Sequence, residues 1–429
     1  MSKKIKVIFI CDDIRLNTGV GIQARKLLIG LNKTGKYNVI NIGNALNHRD
    51  LNPVKYEDIL IYPIRSNRNQ DMKNAIRFII SKEKPDIIIP FGDPRFFFYL
   101  FEIDDEIREK SKIVFYHTWD NEPFPKYNLP YYQACDYLIF ISKFSYNLIS
   151  SKVNIPSYCI QHGYDKEEFY PLEEEEIQKE REHLKKLTHL KNLDFVIFWN
   201  NRNIERKRLG DVLMIFKEFQ KNHPNSILFV NTDPIDMEGI DILRFQKDLE
   251  NEHLPYIFNF TKVNSKELNK FYNIADVSLN ISHSEGFGLC VGESLLAGTP
   301  VIATKTGGMT EQLQIEEKKL PLPISIETKA FSFLLEPEVR HLYGVPGASY
   351  IYQDYVSQKQ VLEALYKAFH LKKAMRSSEN TYLQAIGKAG REFIINNLSI
   401  EKTIQKWDNT LIEINSKPSE FKRIKTYVA

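Results

Sequence analysis

What most limits the folds open to this chain is a pattern that runs along it twice: short, almost wholly apolar segments alternating with stretches of helical periodicity. In the first third, Lys6–Cys11, Val39–Ile42, Ile59–Tyr62, Asp86–Pro90, Lys112–Tyr116 and Tyr137–Ile141 are predicted as buried strands. A strand that is apolar on both faces needs cover on both, which is the condition of a parallel sheet clothed in helices. Val20–Leu31 and Asp71–Lys82 carry apolar residues at helical spacing and supply the right-handed crossovers. A highly charged stretch from Pro171 to His189 then interrupts the pattern and reads as a solvated helix joining two domains. The alternation restarts with strand Phe195–Trp199, helix Leu209–Lys221, strand Ser226–Val230, helix Ser265–Ile274, strand Val277–Asn280, helix Leu289–Ala297 and strand Val301–Ala303. The fold class is therefore α/β, with two Rossmann-like doubly wound sheets and a cleft between them onto which strand carboxyl ends can open. The predicted boundaries are 1–170, a linker helix 171–193, a second domain 194–394, and a C-terminal helix of about 395–429 that packs back on the first. Several prolines and glycines in Glu316–Tyr350 predict a long loop or insertion over the second domain.

Composition narrows the function classes. With 58 Lys and Arg against 55 Asp and Glu, the formal charge of +3 gives no general argument for a nucleic-acid or acidic-membrane partner. Four cysteines, Cys11, Cys135, Cys159 and Cys290, lie far apart without a C-x-x-C pair, so neither a zinc site nor a disulfide framework is indicated. Asp12-Asp13 cuts the first apolar run too short for a signal sequence or a membrane span. A soluble protein of a reducing compartment, the cytoplasm, is expected.

The residues that carry chemistry concentrate in Ser282–Glu311, SHSEGFGLCVGESLLAGTPVIATKTGGMTE. The string parses as strand, glycine turn, helix, a stop at Gly298 and a second buried strand. Gly286 and Gly288 have no Cβ, so a ligand can approach the backbone closely where a helix starts and its free N–H groups point outward. Glu285 stands before that turn and Glu293 within the helix. Carboxylates repel a phosphate, so their place beside an anion site makes sense when they bind hydroxyls. Phosphate together with polyol hydroxyls describes a nucleotide sugar.

These residues resemble the retaining GT-B glycosyltransferases of family 4, whose E-G-F-G-x4-E, G-x-P-V-I-A and G-G-x-x-E elements are all matched here. The resemblance implies a GT-B fold in which Glu285 faces the donor sugar. It further implies that the backbone of Gly286, Phe287, Gly288 and Leu289 contacts sugar and phosphates, and that Glu293 holds the ribose hydroxyls. Val291-Gly292 departs from the bulkier or alanine-rich residues usual before the second glutamate.

Three further features fit. Arg202 and Lys207 follow the strand Phe195–Trp199, where cations are placed to neutralise a diphosphate, and they match the family's R-x4-K pair; a basic surface turn is the plain alternative. Gly19 and Gly21 open a helix after strand one, as a phosphate-approaching loop or an ordinary strand–helix turn would. His117 ends a parallel strand, where an imidazole can reach a sugar hydroxyl or serve structure alone. Arg206 and Arg208 read as surface or acceptor-facing, and His162-Gly163-Tyr164-Asp165 as a structural hinge. The expected activity is transfer of a sugar, without metal or cofactor, from a nucleotide-diphosphate sugar to an acceptor hydroxyl with retained configuration. UDP- or GDP-linked donors are expected. A saccharide or glycolipid is the default acceptor, with peripheral membrane contact compatible, and a hydroxylated base in DNA a further one. The rival readings are a GT-B-like phosphorylase or epimerase, and an inactive binding protein.

Overall fold

The computed structural model describes residues 3–45, 50–65, 69–248, 254–313, 332–345, 347–375, 381–418 and 421, and statements of absence below refer to these. The chain divides into two compact units, the first comprising Met1–Gly163, Gly344–Ile351 and Ile400–Ala429, the second Tyr164–Tyr343 and Tyr352–Ser399.

The first unit is built on an eight-stranded sheet. Its elements are β1 (Ile5–Asp12), α1 (Gly19–Lys33), β2 (Tyr37–Asn44), β3 (Val54–Tyr56), β4 (Ile59–Pro63), α2 (Asn69–Glu83), β5 (Ile87–Gly92), α3 (Phe98–Phe101), α4 (Asp104–Arg108), β6 (Lys112–His117), α5 (Leu129–Gln133), β7 (Tyr137–Phe140), α6 (Lys143–Ile149) and β8 (Ser157–Cys159). The strand order is β3-β4-β2-β1-β5-β6-β7-β8, parallel except for the β3–β4 hairpin. Every residue of β5 and β7 is buried, as their unbroken apolar runs require. The short strands β3 and β8 lie at the sheet's two edges, and none of their residues is fully buried. That is why no apolar run announced them.

The second unit begins with α7 (Glu174–Leu187), followed by β9 (Phe195–Asn200), α8 (Leu209–Asn222), β10 (Ser226–Asn231), α9 (Ile242–Asp248), β11 (Tyr256–Asn259), α10 (Ser265–Ile274), β12 (Val277–Asn280), α11 (Leu289–Leu296), β13 (Val301–Thr304), α12 (Thr310–Leu313) and β14 (Phe333–Leu335). All six strands are parallel, in the order β11-β10-β9-β12-β13-β14. From β9 the chain winds outward through β10 and β11, then returns to place β12 on the other side of β9. The boundary between β9 and β12 is thus the topological switch point, outside whose carboxyl ends ligands of such sheets bind. Helix α7 does more than join: Arg181 is buried and donates to the Ile274 carbonyl (2.8 Å) and to Asp276 (3.1 Å), pinning the charged helix to α10.

Of the segment expected as a long loop or insertion, residues 316–331 lie outside the described ones. The rest corrects the loop alternative: β14 joins the sheet, and β15 (Val339–Val345) and β16 (Ala348–Tyr355) form a two-stranded sheet of their own. Gly347 sits at φ +81°, where an added Cβ would lie 2.6 Å from the Arg95 side chain. Helices α13 (Gln358–Lys373) and α14 (Tyr382–Asn397) complete the second unit, each opened by a capping box. Helix α15 (Ile400–Ser416) belongs to the first unit, where Trp407 is fully buried against Phe9 and Tyr116. No described helix is long and apolar enough to cross a membrane.

Candidate functional site

Two loops meet at the switch point of the second unit. One leaves β9 and turns through Glu205–Lys207 into α8; the other leaves β12 and runs through Glu285 into α11. They bring Lys207 onto Glu285, residues 78 apart in sequence, with the Lys207 ammonium ion-paired to Glu285 Oε1. Both side chains are more than nine-tenths buried. Ser282 Oγ donates to the same carboxylate oxygen at 3.2 Å, and Arg206 Nη1 reaches Oε2 at 3.5 Å. Arg206 also donates to the Ser284 carbonyl (2.7 Å), and its own carbonyl accepts from His283 N at 2.8 Å. Arg206, read from the sequence as surface or acceptor-facing, stitches the two loops together. A buried ion pair adds little net stability because both charges lose their hydration, so its place beside a glycine turn points to use.

The turn itself is held open by its neighbours. Gly288 caps α11 at φ +81°, and a Cβ there would stand 2.7 Å from Met309. Gln312 is fully buried and donates through Nε2 to the carbonyls of Phe287 and Gly288, while its Oε1 accepts from the Tyr164 hydroxyl at 2.5 Å. The Glu285 carbonyl accepts from Gly308 N at 2.9 Å. With its carbonyls engaged from behind, the turn presents its N–H side, and α11 adds the positive end of its dipole. Gly292 is explained by the same neighbour: a Cβ there would fall inside the Tyr164 ring, which stacks on Phe287 at 6.0 Å. Sequence reasoning missed Gln312 and took Tyr164 as hinge. The only available signal was that Gln312 directly follows the G-G-x-x-E turn.

Glu293 lies one helical turn further on, and its Oε2 accepts from the Tyr272 hydroxyl at 2.9 Å. Between the glutamates, Cys290 is partly exposed, and desolvation pushes its thiol up to about 11, so it stays protonated at neutral pH. His283 packs against Tyr355 with ring centroids 3.9 Å apart and the rings tilted by 37°; burial, helped by Arg208 and Arg206, brings its imidazole down to about 3.

Of the remaining expected site residues, Arg202 alone shares this unit. Arg202 makes a two-pronged ion pair with Asp236, at 2.7 and 3.1 Å, and is exposed. Asp236 is thereby occupied. Among the described residues no group of three or more His, Cys, Asp or Glu could hold a metal ion. Gly19, Gly21 and His117 lie in the first unit. Gly19 is the exposed first residue of α1; Gly21 N donates to the Thr18 cap at 3.0 Å, and a Cβ on Gly21 would stand 2.8 Å from the Leu16 carbonyl. Close packing of the turn is therefore reason enough for that glycine. His117 is fully buried, stacked on Phe115, with Nε2 2.9 Å from the Tyr132 hydroxyl, and burial brings it down to about 4.

Known proteins resemble this chain in sequence over part of its length and in fold over nearly all of it. The family described as glycosyl transferases group 1 matches residues 179–331, the stretch that carries both loops of the switch point. An alpha-monoglucosyldiacylglycerol synthase from Acholeplasma laidlawii is 31% identical over 180 residues, 41% of this chain and 43% of that protein. The chain thus spans about two-fifths of the length of this relative. In three dimensions a sucrose-phosphate synthase from Thermosynechococcus elongatus superposes with a TM-score of 0.71 at 14% identity, covering 96% of this chain and 99% of that one. Anabaena HepE, solved in complex with UDP-glucose, gives a TM-score of 0.65 at 13% identity, covering 95% and 100%. The fold is GT-B.

Proposed function

We propose that this protein is a glycosyltransferase that moves a sugar from a nucleotide-diphosphate sugar to an acceptor hydroxyl with retention of anomeric configuration. The observation that carries the reading is the buried Lys207–Glu285 pair beside a glycine turn whose carbonyls are engaged by Gln312 and Gly308. In this reading the donor diphosphate lies against the start of α11 and competes with Glu285 for Lys207. Arg202, released from Asp236, adds a second cation. As the sugar–oxygen bond breaks, negative charge grows on the leaving diphosphate, and these preorganised groups stabilise it, the term that usually dominates such catalysis. The leaving phosphate oxygen takes the acceptor's proton on the same face, so Glu285 serves to orient the sugar and no metal is required. Glu293 holds the ribose hydroxyls.

A UDP- or GDP-linked donor and a saccharide or glycolipid acceptor are proposed, in keeping with the relatives' names. A thermal-shift screen with UDP, GDP, ADP and their sugars should give one nucleotide that raises the melting temperature in proportion to occupancy. Turnover with that donor should need an acceptor, survive chelation, and fall about a hundred-fold or more in Lys207→Ala, the usual scale for removing one charge-stabilising group. Phosphate-dependent cleavage, epimerisation without acceptor, or an inverted product by NMR would each replace this reading.

A further inference from the structure

Three neighbouring strands of the second unit end on the same residue at the same rung. Asn231 pairs in parallel register with Asn259 on one side and Asn200 on the other, so their side chains stand side by side at the carboxyl edge of β11, β10 and β9. Adjacent strands lie about 4.8 Å apart, the spacing at which like amides bond head to tail. They do so here without a break. Asn259 Nδ2 donates to Asn231 Oδ1 (2.6 Å), Asn231 Nδ2 to Asn200 Oδ1 (2.8 Å), and Asn200 Nδ2 to the Tyr272 hydroxyl (2.9 Å). Tyr272, fully buried, passes its proton-bearing end to Glu293 Oε2 at 2.9 Å. At the far end Thr261 Oγ1 donates to Asn259 Oδ1 at 2.8 Å, so five hydrogen bonds all point the same way. They converge on one carboxylate.

We propose that Asn259, Asn231, Asn200 and Tyr272 form a positioning row that orients Glu293 for the ribose of the donor and so sets the preference for a ribonucleotide over its deoxy counterpart. The inference rests on the donor reading above, since it needs Glu293 at the ribose. Its physical basis is direction. Each bond polarises the next, and the last donor is the Tyr272 hydroxyl, which accepts from Asn200 and turns its own proton to Glu293. One Glu293 oxygen is thereby committed to Tyr272 and the plane of the group is oriented. An oriented carboxylate accepts strongly from a ribose hydroxyl, whereas a swivelling one loses that advantage to the entropy of fixing it on binding. The alternative is that the amides only close the polar edge of the sheet. In that case disturbing them lowers stability and weakens every nucleotide alike.

The test uses the full-length protein and calorimetric binding of UDP, GDP and ADP, followed by the 2′-deoxy form of whichever binds. Wild type should prefer the ribonucleotide by about ten-fold or more, the scale of one hydrogen bond to a charged group. Tyr272→Phe keeps the ring and removes only the donor hydroxyl; the preference should fall to about three-fold or less, mostly through weaker binding of the ribonucleotide. Asn231→Ala, which breaks the row two bonds from Glu293, should reduce the preference in the same sense and serves as the second readout should Tyr272→Phe fold poorly. An unchanged preference in these variants, or equal weakening of both nucleotides with a lower melting temperature, overturns the row's role and leaves the donor reading standing. If wild type binds none of the three nucleotides, both fall.

Discussion

At the scale of single residues, the ion pair of Lys207 and Glu285 makes stability and function separable. Removing one partner takes the chief counter-charge from the other in a buried site, a cost of up to about 3–5 kcal/mol that Arg206 offsets in part for Glu285, while removing both leaves neither buried charge to compensate. Lys207→Met and Glu285→Gln should therefore each lower the melting temperature by several degrees. The double variant should be more stable than the sum of the singles, although catalytically dead. Calorimetric melting of the four proteins reads this directly, and simple additivity would mean that the charges do not feel one another. Glycine gives a second residue-scale case. Gly292→Ala pushes a Cβ into the Tyr164 ring, an overpacking of about 1–3 kcal/mol. Because Tyr164 holds Gln312, and Gln312 holds the turn, donor affinity should fall along with melting temperature.

At the scale of elements, helix α14 carries the same kind of argument with a sign that is diagnostic. An alanine in a helix interior is ordinarily more favourable than glycine by about 1 kcal/mol. Gly387 in α14, however, faces the carbonyl of Gly298, the residue at φ +87° that ends α11, and a Cβ there would overlap that oxygen. Gly387→Ala should thus destabilise, where propensity alone predicts a gain; a higher melting temperature would show that the two helices can part. Elements were also where the sequence was most readable. Continuous apolar runs announced the buried strands β1, β5, β6 and β9 because burial on both faces leaves no other composition. Edge strand β11 is only partly buried throughout, and the hairpin β15–β16 has a largely exposed first strand, so neither produced such a run. The site divided the same way. Glycines and acids declared themselves because few structural roles need them together, whereas Tyr272 sits within a helical segment whose periodicity accounts for a buried residue without invoking its hydroxyl, and Gln312 lies in a helix of four residues, too short to show a period. Arg202 shows the limit of motif reading: spacing named it, yet its partner, Asp236, is fixed by a loop that no spacing rule describes.

At the scale of the whole molecule, buried neutral histidines in both units make stability fall as the solution is acidified. His117 and His162 lie in the first unit and His283 in the second. Burial brings them down from 6.5 to about 4, about 3 and about 3 respectively, with Arg208 and Arg206 assisting at His283. Tyr132 and Tyr116 hydrogen-bond the first two, each at 2.9 Å. Unfolded, all three take up protons near pH 6.5; folded, they refuse them until far lower. Below pH 6.5 the unfolded chain therefore binds more protons, and each histidine removes stability at up to about 1.4 kcal/mol per pH unit until its folded value is reached. Asp276 does not offset this: burial pushes its carboxyl up, but Arg181 and Lys372 together hold it below the ordinary value, so it stays ionised across the window. The melting temperature should thus be flat above pH 7 and decline steadily from about 6.5 to 5, before most carboxylates titrate. Replacing His117 and Tyr132 together by Phe keeps the aromatic packing and leaves no unpaired hydroxyl. That double variant should lose one histidine's share of the slope while melting as wild type does at pH 8, whereas an unaltered slope would mean that His117 is protonated as readily in the fold as outside it.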